Sequence, residues 1–269
     1  MHESEVDIMD VDFNCTSCSK EVQDIVPIAR VLERIDALFE KNDIDAVGRV
    51  LDYWDSEARR LKDERGLLEI LNEKIGYYRR TGEKELALAA VDEAFALIDK
   101  LALFGLQSTG TVYLNGATTM KAFGETESAM RYYDKAKDIY QKTLPHNDFR
   151  LAAFYNNVSS AYKELGDFVM CEDACLRAIA ILEQSGGFYG EMAISHINLA
   201  HLYYDLDSLD DRVYERMEKA WELLMNKGNK HDGNYAFVCS KCHPSFGFFG
   251  YFEYESKLKE IMKKIYEGD

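Results

Sequence analysis

Cys239-Ser240-Lys241-Cys242-His243 spells the attachment signature of a c-type haem, and Cys15-Thr16-Ser17-Cys18 adds a second CxxC pair, a spacing at which thiolates also hold zinc. Each reading meets an obstacle. The first 24 residues carry seven carboxylates (Glu3, Glu5, Asp7, Asp10, Asp12, Glu21 and Asp24) against Lys20, whereas a secretory leader needs a basic start and an apolar run. The expected compartment is therefore the cytoplasm, where the six cysteines stay reduced and a haem-attachment site is out of place. The histidines (His2, His146, His196, His201, His231 and His243) are scattered. The nearest pair, His196 and His201, would stand about 140° apart on a helix, too far round to share a metal. No GxSxG, HExxH or glycine-rich phosphate loop occurs. The chain is predicted to be no enzyme and to need no cofactor.

Composition narrows the partners. With 32 Lys plus Arg against 48 Asp plus Glu, the 269 residues carry a net charge of −16. A DNA duplex presents one negative charge per roughly 1.7 Å, and no basic run offsets the repulsion, so nucleic acid is excluded as a partner. No uninterrupted apolar stretch approaches the roughly 20 residues of a membrane-spanning helix, so no membrane partner is expected either. Apolar residues at 47%, aromatics at 12% and only three prolines predict a sizeable core built from helix.

The elements that position these residues recur. Ala94, Ala136, Ala178 and Ala220 stand 42 residues apart, each inside a stretch with helical apolar spacing. The same step links Gly82, Gly124, Gly166 and Ser208 between the helical stretches, and links Ala87, Ala129, Cys171 and Val213. Three columns in one register are a repeat. Its best copy runs Tyr155-Asn156-Asn157-Val158, Tyr162, Leu165-Gly166-Asp167-Phe168, Cys171, Cys175, Ala178. Gly166 can close one helix in the left-handed conformation, and Asp167 can cap the next. In the fourth copy the first helix is displaced by one residue relative to the second, which predicts an insertion near Asp205 to Ser208.

This pattern resembles the tetratricopeptide repeat. The 42-residue step and the Asn-Asn pair look like the kinesin-light-chain variety, longer than the usual roughly 34 residues, over about residues 28–266. The resemblance implies an all-α fold, a right-handed superhelical α-solenoid of helix hairpins. Four clear repeats would occupy 67–228. A degenerate first repeat would occupy 27–66, after an acidic, poorly ordered tail over 1–26. A degenerate last repeat with an aromatic-rich cap would occupy 229–269. Atypical ends are what a solenoid needs, because its outermost faces meet water.

In this family the first helices line a concave groove. One groove column reads Arg79, Lys121 and Lys163, a basic row in an acidic protein; another reads Asn72, Leu114 and Asn156. Asn72 and Arg79 differ by seven residues, about 700°, so they share a face. Asn115, Asn157 and Asn198 stand about 100° round, on its shoulder. Asparagine amides offer donors and acceptors to the backbone of an extended peptide, and the cations favour acidic residues or a terminal carboxylate. The implied function is a non-catalytic protein–protein interaction scaffold that holds an acidic segment of a protein or peptide partner at these residues. The bland reading makes them ordinary solvated polar side chains.

The cysteines now find a place. Adding 42 to Ile197 and Ala200 reaches Cys239 and Cys242, so in the last repeat they fall at packing positions, a common role for a buried thiol. Zinc shared with Cys15 and Cys18 is the alternative, and the distance across five stacked repeats stands against it. Pro244 predicts a kink or an early end to that helix. The aromatic run Phe246, Phe248, Phe249, Tyr251, Phe252 and Tyr254 seals the end of the solenoid, or docks a partner or a second copy as a homodimer.

Overall fold

Residues 25–267 are described by the computed structural model. Cys15, Cys18 and most of the acidic leading segment lie outside them. Among the described residues the secondary structure is twelve α-helices that pair into six antiparallel hairpins: α1 (Ile28–Glu40) with α2 (Ile44–Leu61), α3 (Glu64–Thr81) with α4 (Lys84–Lys100), α5 (Gln107–Ala122) with α6 (Thr126–Thr143), α7 (Phe149–Glu164) with α8 (Phe168–Ser185), α9 (Tyr189–Leu206) with α10 (Arg212–Leu224), and α11 (Gly233–Phe248) with α12 (Phe252–Glu267). Successive hairpins stack, giving an all-α repeat solenoid.

Short polar side chains start the helices. The carboxylates of Asp43, Asp63, Asp148, Asp167 and Asp232 accept from the backbone N–H groups of Ala46, Gly66, Arg150, Met170 and Tyr235, satisfying donors that the helix leaves unpaired. Asp63 caps α3 at Glu64, so the sequence boundary at 66/67 falls inside the first turn of that helix. Gly166 turns the chain from α7 to α8 at φ +77°, in the left-handed region that a side chain resists.

The alanine column is what lets hairpins approach. Ala94, Ala136, Ala178 and Ala220 are each fully buried, and large aromatics fill the space around them. Tyr133, Tyr140 and Tyr203 are also fully buried, and each hydroxyl finds a partner: Thr118, Thr111 and Glu172 respectively. Such a core holds a buried phenol without an unsatisfied polar group.

Two local features bear on the sequence expectation: the insertion expected near Asp205 to Ser208, and Pro244. The turn between α9 and α10 occupies 207–211, and α10 starts at Arg212, two residues later than a 42-residue step from Phe168. Val213 therefore sits in a first turn and is only half-buried, unlike Ala87, Ala129 and Cys171 in its column. Pro244 does not end α11, which runs on to Phe248.

Candidate functional site

The solenoid curls until its ends meet. Gly233, the first residue of α11, lies so close to the end of α1 that a Cβ there would stand 2.6 Å from Glu40 Cα and 2.7 Å from Glu40 O. The Arg80 guanidinium sits 5.2 Å from the Phe39 ring of α1 and 5.6 Å from the Phe237 ring of α11, within cation–π range of both. First helices α1, α3, α5, α7 and α11, with the end of α12, surround a cavity of about 850 Å³, a size usual for ligand sites, roughly 300–1,000 Å³.

Cations converge on this cavity. Arg79 and Arg80 come from the end of α3, Lys121 from the end of α5 and Lys241 from α11. Among the described residues none of the four has a carboxylate within ion-pair distance; Arg79 Nη1 donates to Asn115 O (3.2 Å) and Thr119 Oγ1 (2.9 Å), and Lys121 Nζ donates to Ser160 Oγ (3.0 Å). Burial holds Arg79 below its usual range. Burial lowers Lys121, with the Glu164 carboxylate opposing and the charge of Arg79 adding to it, and Lys241 is lowered by burial, then by Arg79, Arg80 and Lys121. Burial leads in all three, and at Lys241 the neighbouring cations add to its cost.

The sequence-derived residues divide. Arg79, Lys121 and Asn157 line the cavity. Lys163 does not; its ammonium pairs with Asp205 at 2.8 Å, one 42-residue step further on. Asn72 is buried, donating to Glu73 Oε1 (3.2 Å) and accepting from Asn115 Nδ2 (2.9 Å). Asn156 Oδ1 accepts from Ser195 Oγ (2.8 Å). Asn157 Nδ2 donates to Ala153 O in its own helix (2.8 Å). Asn198 is half-buried on α9, outside the cavity lining. Much of the polar ladder therefore ties one first helix to the next.

Among the charged residues of the cavity, Asp36, Glu40, Glu73, Arg80 and Lys241 are the ones that sequence reasoning passed over. Lys241 was within reach of arithmetic: 42 residues from Asn157 is Leu199, and 42 more is Lys241. The cysteines on either side of it carry a motif of their own. Cys239 and Cys242 are fully buried in α11, and burial pushes the Cys239 thiol up to about 11 and Cys242 higher still. Among the described residues no three His, Cys, Asp or Glu side chains group so as to hold a metal ion. His196 and His201 face apart, the first toward Arg216 and the second bonded to Ser245 Oγ (2.9 Å). No helix of the described residues is long and apolar enough to cross a membrane.

No family model matches the sequence, and no curated protein matches it. Solved structures do. A putative kinesin light chain from Podospora anserina, with nearly identical tetratricopeptide-like repeats, superposes with a TM-score of 0.52 at 16% identity, over 74% of this chain and 94% of its own. BtubC (BKLC) from P. vanneervenii gives 0.54 at 17% identity, over 84% and 90%. The fold is that of the tetratricopeptide-like repeat proteins. At such low identity the likeness of this tetratricopeptide-like solenoid to its neighbours extends to the backbone path and leaves their ligands aside.

Proposed function

We propose that the chain is a non-catalytic interaction module that captures an acidic peptide or protein segment in its central cavity. The observation that carries this reading is the meeting of Arg79, Arg80, Lys121 and Lys241 without carboxylate partners, in a protein whose net charge is −16. What sets these four apart is that they share one cavity, where Arg79, Arg80 and Lys121 donate only to neutral groups and an anion would gain charge-assisted hydrogen bonds from several of them at once. The repeat fold supports the reading, since stacked hairpins present a preformed concave surface.

In this proposal Lys163 serves the stack through Asp205 and is dispensable for binding. Fluorescence anisotropy of labelled acidic and basic peptides against the full chain tests it. Acidic peptides should bind more weakly as salt rises, and Lys121→Gln should weaken them about 10-fold, the loss of one charged hydrogen bond worth about 1.5 kcal/mol. Lys163→Gln should leave them unchanged. Equal, salt-insensitive weakness across both peptide sets would remove the idea.

A further inference from the structure

The same cavity holds a second, opposite group of charges. Asp36 of α1 and Glu73 of α3 line it as well. Burial raises Glu73, and the nearby carboxylates Asp36 and Glu69 raise it further. Asn72 Nδ2 donates to it, and among the described residues no cation pairs with Asp36, Glu69 or Glu73. On the basic side, Lys241 stands among the charges of Arg79, Arg80 and Lys121. Two unpaired charge groups of opposite sign thus share about 850 Å³ without neutralising each other. Glu73 lies six residues before Arg79 on α3 and Asp36 stands on α1, and neither is within ion-pair distance of Arg79, Arg80, Lys121 or Lys241.

A purely acidic ligand leaves the carboxylates unrelieved. A ligand with one positive and one negative end relieves both groups. The space suits a peptide of about four residues at roughly 3.3–3.6 Å each when extended, and in so short a peptide the two termini are charges that every sequence carries. Phe39, Tyr77 and Phe237 give its side chains apolar surface.

Resting on the peptide-binding reading above, we propose that the cavity takes a short zwitterionic peptide whole, its amino terminus beside Asp36 and Glu73 and its terminal carboxylate beside Lys121 and Lys241. Free ends then bind best, and an acidic segment inside a longer chain, with no amino terminus to set beside Asp36 and Glu73, binds through the cations alone and more weakly.

Native mass spectrometry of the full chain against pooled peptides of about four residues tests this, using one pool with free ends, one N-acetylated, one C-amidated, and one with the same residues embedded in longer peptides. The free-ended pool should give bound species, and each of the other three about 10-fold less or weaker, since each lost charged contact is worth about 1.5 kcal/mol or more. Glu73→Gln should shrink the acetylation penalty and Lys241→Gln the amidation penalty, which a merely misfolded variant would not do selectively. Capped or embedded pools that bind as well as the free-ended pool overturn the zwitterion proposal and leave peptide capture standing. No binding by any pool, alongside binding of long acidic peptides, does the same. No binding of peptides of any kind overturns both.

Discussion

At the residue scale, the buried polar groups decide how the protein answers to pH. His196 is buried in α9, and burial, followed by the charges of Arg216 and Lys219, lowers it to about 4. An unfolded histidine titrates near 6.5, so between pH 6.5 and 4 the unfolded chain takes up a proton that the folded chain refuses. Stability should fall across that window by an amount on the order of 3 kcal/mol. Thermal unfolding followed by circular dichroism from pH 7 to 4 measures the slope, and His196→Gln should flatten it. A second group works at lower pH. Burial pushes the Asp55 carboxyl up, but hydrogen bonds from Arg59 and Lys74 outweigh it and hold it below the ordinary range. That contribution is present above about pH 4 and is lost as the pH falls below it. Lys74 is itself buried, with Nζ 3.0 Å from Asp55 and 3.1 Å from Asp52. Lys74→Met should cost about 3 kcal/mol in urea unfolding, the lower end for a broken buried pair, because Arg59 still faces Asp55. Replacing both partners, as Asp55→Leu with Lys74→Met, should restore most of the loss.

At the scale of helices, the regular part of the chain was legible and the tie between helices was not. Ala94, Ala136, Ala178 and Ala220 could be read as packing positions because a small apolar residue at a fixed stride has one physical use, and all four are fully buried. The basic column was equally visible, yet its members have different partners. Arg79 reaches forward to α5, Lys121 to α7 and Lys163 to α9, so each long side chain first bridges its own hairpin to the next. Helical periodicity says which face a residue is on; it does not say whether the neighbour one repeat along ends in a hydroxyl, as Ser160 does, or a carboxylate, as Asp205 does. That last letter decides which cations stay unpaired. Pro244 shows the same limit from the other side, since a proline that argues for a helix end lies four residues before the end of α11.

At the scale of the whole molecule, the meeting of first and last hairpins makes the binding cavity a property of the full chain. Gly233→Val would drive a side chain into the backbone of Glu40. Backbone cannot swing aside as a side chain does, so the expected loss is about 1–3 kcal/mol, read as a lower urea midpoint. Peptide affinity should fall with it, because Lys241 would move away from Lys121 and Arg79. None of this closure could be read from a 42-residue stride, which specifies how each hairpin sits on its neighbour but leaves the curvature summed over six of them open.

The closure has a further consequence for how such a chain can evolve. An open solenoid gains or loses a unit at little cost, because each unit touches only those beside it. Here a duplication or deletion of one hairpin would carry Phe237 past Phe39 or leave it short, and Arg80 would lose the second of its two aromatic partners. Copy number is thereby locked at the count that brings head to tail, and change is channelled into substitutions along the inner wall.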